Sequence, residues 1–260
     1  ADWNRYAYVN YNPINFNDPT GHIGQDPPQI DDDTLQAEID YYVGSYFAKK
    51  ESLINELKDR FNWTVSGSVT IAQLETILTA GNTYSLGINE MFSSFDGDEW
   101  VRRNMGGATF KIGGVVQNVV AKYNQNPYIS LVLGNVWLTP ELENLTNPVQ
   151  TVMHELVHFM EAKDKPGSLW FGGGVSDDFI RFLGGTTPQG TRWKNKTSGM
   201  LVSSPYLWDT PRSSEDYGNN STVDSWAEAF SWYFIDPSVL PNNGGENLMH
   251  TYIIRYVFNH

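Results

Sequence analysis

Asn147-Pro148-Val149-Gln150-Thr151-Val152-Met153-His154-Glu155-Leu156-Val157-His158-Phe159-Met160-Glu161 has the period of one amphipathic helix. Val149, Val152, Met153, Leu156, Val157 and Met160 recur at i, i+3, i+4, i+7, i+8 and i+11, which defines an apolar face. Asn147, Thr151, His154, His158 and Glu161 fall on the opposite side. Asn147 is suited to the N-cap, Pro148 to the first helical position, and Gln150, three residues after the cap, completes a capping-box pattern. One face is therefore expected to dock on a core while the other presents His154 and His158. Two imidazoles four residues apart lie one above the other, about 5–6 Å apart at Cβ. That separation lets both reach one zinc ion at about 2.0–2.1 Å. Glu155, rotated by one residue, can hold a water there without being a ligand, so the H-E-x-x-H pattern predicts metal-assisted peptide hydrolysis. A structural histidine pair would leave the glutamate between them unexplained.

A catalytic zinc needs three protein ligands and one open position. After His158 the chain runs Phe-Met-Glu-Ala-Lys-Asp-Lys-Pro-Gly, with no third nearby histidine, and the sequence contains no cysteine. The third ligand is therefore expected to be a carboxylate from a later helix. Glu228 is the first choice. It stands alone between Trp226, Ala227, Ala229 and Phe230, an expensive setting for an unpaired acid, and its alanine neighbours permit close helix approach. Ser221 or Thr222 can cap its helix, whose apolar face comprises Val223, Trp226, Ala227, Phe230, Tyr233 and Phe234. Asp178 is the rival, but it follows Ser176, a suitable N-cap, and acids in a first helical turn are accounted for by the helix dipole.

The combination of H-E-x-x-H with the distant Trp226-Ala227-Glu228-Ala229-Phe230 helix resembles the gluzincin metallopeptidases, and within them the branch of the anthrax lethal factor catalytic domain and the bacterial Pro-Pro endopeptidases. The likeness covers residues 147–235 at best and departs at Asp224-Ser225, where an acidic pair is commoner. It implies that Tyr217, in Ser214-Glu215-Asp216-Tyr217-Gly218, supplies the hydroxyl that stabilises the oxyanion. From the residues alone, Tyr217 beside Gly218 reads equally as a turn tyrosine.

Composition bounds the alternatives. The 260 residues are 40% hydrophobic, 18% charged and 14% aromatic, as expected of a soluble globular protein with one substantial core or two closely packed subdomains. No apolar run approaches the roughly 18 residues of a membrane span. Seventeen basic against thirty acidic residues give a net charge of −13, which argues against a nucleic-acid surface. A start at Ala1-Asp2 rather than Met is expected of a trimmed chain. The absence of cysteine, with few lysines and much Asn, Gly and aromatic, fits a secreted, extracellular bacterial protein. Nine Trp and fourteen Tyr raise a second possibility, a carbohydrate- or surface-binding module.

Along the chain, residues 1–30 read as a turn-rich arm, and two helical patterns are expected from Asp32 to Phe61. Thr70 should cap a helix Ile71–Ala80 closed by Gly81, and Asp96-Gly97-Asp98-Glu99 reads as an acidic turn. Ala108–Ile112, Val115–Tyr123 and Tyr128–Leu133 read as strands, and a closing helix is expected near Glu246–Phe258.

These readings converge on an α+β, zincin-like fold with a mixed sheet and helices before the cleft and a mostly helical C-terminal part. A single catalytic domain is expected over 1–260, with subdomains 1–163 and 164–260. The expected protein is a zinc-dependent endopeptidase, a monomer acting on protein or peptide. His154, His158 and Glu228 hold Zn2+, Glu155 is the general base and Tyr217 helps the oxyanion. A zincin-shaped protein without proteolytic activity is the remaining alternative.

Overall fold

The computed structural model describes residues 31–112, 121–124, 135–138, 142–166, 174–183, 222–240 and 248–260. The chain divides into two compact units, residues 1–46 and residues 47–260. In the first, the described part is a cap and the start of a helix: the Thr34 amide donates to Asp31 Oδ1 at 2.7 Å. That helix, α1 (Asp32–Phe61), is continuous, where the sequence suggested two. Among its residues up to Tyr46, the large apolar side chains Leu35, Ile39, Tyr41, Tyr42, Val43 and Tyr46 are exposed.

In the second unit, Asn62 (φ 57°) leads out of α1 in the left-handed region that Asn tolerates, and the chain enters β1 (Thr64–Gly67). Helix α2 (Ile71–Met91) begins as expected: Thr70 Oγ1 accepts from the Gln73 amide at 3.1 Å and Gln73 Oε1 accepts from the Thr70 amide at 3.0 Å. It does not end at Gly81. That glycine lies mid-helix against Phe61, and a Cβ there would meet Phe61 Cε2 at 2.4 Å, so close packing and not termination explains it. The Asp96–Glu99 stretch is also more ordered than a solvated turn. Asp96 caps α3 (Gly97–Met105), and Asp98 accepts from Arg60 at 2.9 and 3.0 Å and from Ser85 at 2.6 Å.

Among the described residues, strands β2 (Thr109–Ile112), β3 (Ala121–Asn124) and β4 (Asn135–Leu138) join β1 in a four-stranded sheet of order β1-β2-β4-β3. β1, β2 and β4 run parallel, with Phe110 opposite Val136, and β3 pairs antiparallel to β4 at the edge. Phe110, Val136 and Leu138 are buried, whereas Lys111 and Trp137 meet on the other face with the ammonium 5.1 Å from the indole. The Tyr128–Leu133 strand expectation lies outside the described residues.

Helix α4 (Pro148–Asp164) follows, then α5 (Val175–Phe182), α6 (Thr222–Ile235) and α7 (Leu248–Asn259). The sheet therefore precedes α4, and among the described residues only helices follow it, an α+β arrangement. No helix among the described residues is long and apolar enough to cross a membrane. α4 is not half-solvated as its sequence suggested: every residue from Gln150 to Ala162 is buried. It is tied to its surroundings by Tyr84, whose hydroxyl donates to Met153 O at 3.0 Å, and by Lys163, whose Nζ donates to Arg103 O at 2.6 Å and Gly106 O at 2.9 Å.

Two glycines give a contrasting prediction. Gly81→Val should cost about 1–3 kcal/mol, because the added carbons overpack against buried Phe61. Gly44→Ala in α1, where a Cβ meets nothing within 4 Å, should gain up to ~1 kcal/mol from helix propensity. Denaturant midpoints of the two variants check both; equal midpoints would refute the packing argument.

Candidate metal centre

α4 and α6 pack antiparallel along the face that carries the histidines. Asp224 Oδ1 lies 3.3 Å from His158 Nε2 and 3.7 Å from His154 Nε2. One turn further along α6, Glu228 Oε1 lies 2.9 Å from His154 Nδ1. One turn further again, Gln150 Nε2 donates to Glu228 Oε2 at 3.2 Å and to Ser231 Oγ at 3.1 Å. The i, i+4 spacing of the histidines on α4 thus faces an i, i+4 spacing of acids on α6. All four side chains are buried, Glu228 completely.

His154, His158 and Asp224 offer ligand atoms that all lie within 4.8 Å of one another. Ligands about 2.0–2.2 Å from a shared tetrahedral ion must stand roughly 3.3–3.5 Å apart. The observed 3.3 Å meets that requirement and 3.7 Å lies a few tenths of an ångström outside it, and two imidazoles with one carboxylate are a donor set that suits zinc. Burial pushes the Asp224 carboxyl up, but hydrogen bonds from His154 and His158 and their charge more than reverse this. The group is held well below the usual carboxylate range and is an anion beside the two histidines.

Glu228, the ligand expected from sequence, lies beside this group and not in it, on the far nitrogen of His154. Its carboxylate also accepts from Trp232 Nε1 at 3.0 Å. The rival Asp178 stands apart, with its side chain 61% exposed and paired to Arg181 at 2.8 Å. Glu155 is buried in α4 between the two histidines, at 4% exposure. Tyr217 lies outside the described residues. Comparison with protein-family models, with curated proteins and with solved structures gives no match.

Two local expectations change here. Asn147 is the N-cap of α4 but makes no side-chain capping bond, and Gln150 turns inward to Glu228 instead of back to the cap. Ser176 is not the cap of α5, a place taken by Gly174. Its hydroxyl donates to the buried Glu161 at 2.6 Å, fastening α5 to the end of the histidine helix. Asp224 is the member of this cluster that the sequence reading does not choose as a ligand. Its signal was available: it precedes Glu228 by one helical turn, as His154 precedes His158.

Proposed function

We propose that the protein is a zinc-dependent endopeptidase of zincin-like fold in which His154, His158 and Asp224 hold the metal. The observation that carries this reading is the buried His-His-Asp group at zinc-compatible separations, with Glu155 one residue from His154. When bound, zinc polarises a carbonyl as a Lewis acid and lowers the pKa of water. The remaining work falls to the chain. Glu155 takes the proton of the attacking water on its carboxylate and delivers it to the leaving amine, which the histidines, committed to the metal, cannot do. Glu228 orients His154 from behind. β3, the antiparallel edge strand, offers the backbone edge on which an extended peptide can add as a further strand. The resemblance to the lethal-factor branch implies the same roles for His154, His158 and Glu155 but has Glu228 in place of Asp224 as the third ligand.

Among the described tryptophans, Trp63, Trp100, Trp226 and Trp232 are buried in the core, where they cannot serve a binding surface. Zinc analysis of the metal-replete protein, together with turnover of a peptide library, tests the proposal. One equivalent of zinc and cleavage that a chelator stops and added zinc restores are expected. A protein that takes up no zinc, or takes it up and cleaves nothing, would overturn it.

Tyr217, carried over by resemblance, adds a narrower prediction. A phenol used mainly in the transition state affects kcat more than KM. Tyr217→Phe should leave zinc affinity and KM in place while kcat falls about ten- to a thousandfold, the scale for losing one oxyanion donor. An unchanged kcat would return Tyr217 to the role of a turn residue.

A further inference from the structure

The first turns of α1 present a row of apolar side chains to solvent. Residues 31–49 are all exposed, and Leu35, Ile39, Tyr42 and Tyr46 among them are between 43 and 62% exposed. Beyond α1, the exposed large apolar side chains among the described residues are Leu86, Ile235 and Phe258, scattered over three other helices. A helix in water draws most of its stability from an apolar face packed on something else. A contiguous exposed stripe of this kind marks an interaction surface. Five acids and no base between Asp31 and Ala48 disfavour an anionic membrane as its partner.

The stripe has a heptad period. Asp32, Leu35, Ile39, Tyr42, Tyr46 and Lys49 are separated by three and four residues in alternation, the a/d spacing of a two-stranded coiled coil. They form one seam about 27 Å long at about 1.5 Å per residue. Its two ends carry opposite charge, and this selects both the partner and its direction. When two copies of the seam run antiparallel with Leu35 opposite Tyr46, Ile39 falls opposite Tyr42 and Asp32 opposite Lys49. One register satisfies all three pairings. A parallel arrangement would instead stack Asp32 on Asp32 and Lys49 on Lys49, which repel. We propose that α1 is a homodimerisation element in which residues 32–49 of two copies pair as an antiparallel coiled coil, where the sequence reading expects a monomer. Lys49 already lies 2.7 Å from Glu75, but both side chains are about half exposed, and such a pair contributes too little to hold the ammonium from a second acid.

Sedimentation equilibrium of the 260-residue protein tests this. Over about 1–100 µM, where mass action sets the dimer fraction, the mass should approach twice that of one chain. Ile39→Gln removes two seam layers per dimer and should raise the dissociation constant at least about tenfold. Tyr41→Gln, at a position more exposed still but off the seam, should leave it within about twofold of the parent. Asp32→Lys and Lys49→Glu should each weaken the dimer, and the two together should restore it, as only an antiparallel seam allows. All four positions are exposed, so the fold is expected to survive, and circular dichroism checks it. Should a charge variant fail to fold, Ile39→Gln and Tyr41→Gln still decide. A parent that stays monomeric throughout would overturn the proposal and leave the face to another part of this chain or to a different protein. A dimer indifferent to Ile39→Gln, or one that the double exchange fails to restore, would overturn it equally.

Discussion

Glu155→Gln is expected to keep fold and zinc while lowering kcat/KM on any cleaved peptide by at least about a hundredfold, the scale for losing a general base. That corresponds to about 2.7 kcal/mol of transition-state stabilisation. The amide matches the carboxylate in shape, so the packing around this 4%-exposed side chain survives. What it loses is the ability to accept a proton. The substitution therefore separates the chemistry of Glu155 from its place in a helix that is buried throughout from Gln150 to Ala162. Circular dichroism and zinc content should match the parent. A variant that cleaves at near the parent rate would remove Glu155 from the mechanism, while loss of zinc would show that Glu155 supports the metal group instead.

How far the sequence could be read depends on whether a feature is local. α4 begins at Pro148 as expected, because helical period and a proline at the first position act within a few residues. The Thr70–Gln73 capping box was legible for the same reason. Gly81 is not legible in the same way because its meaning lies in Phe61, twenty positions earlier in the chain: a glycine that ends a helix and one that admits a ring look alike in one dimension. Gln150 shows the same conflict between local and tertiary demands. Its spacing from Asn147 suits a capping box, yet a buried carboxylate on another helix claims its amide. Asp96 was read as part of a turn because its role as a cap depends on the short helix behind it being held in place, which the Asp98 contacts with Arg60 and Ser85 achieve.

The third ligand posed the hardest of these problems, since Asp224 and Glu228 occupy the same face of α6 one turn apart. Which of them reaches the histidines is set by the register between two helices, and a slide of one turn, about 5.4 Å, would bring Glu228 to the place of Asp224. The register observed brings Asp224 to both Nε2 atoms and Glu228 to Nδ1 of His154. Asp224→Asn should therefore reduce zinc affinity more than Glu228→Gln, for which about a 10- to 100-fold loss is expected from a residue that orients a ligand. Asp178→Ala, at an exposed surface pair, should change it little. Stability should follow a different order. Glu228 has no exposed surface and three polar neighbours in Trp232, Gln150 and His154, so Glu228→Ala strands buried donors. Leaving a buried donor without its acceptor costs about 1–3 kcal/mol for each group. The metal-free Glu228→Ala protein should thus melt well below metal-free Asp224→Asn, although Asp224→Asn is the weaker zinc binder. Zinc titrations of Asp224→Asn, Glu228→Gln and Asp178→Ala read the first order, and thermal melts of Glu228→Ala and Asp224→Asn read the second. If Glu228→Gln proves the poorer zinc binder, the metal belongs to Glu228, and the helix register proposed for the working site is wrong by one turn.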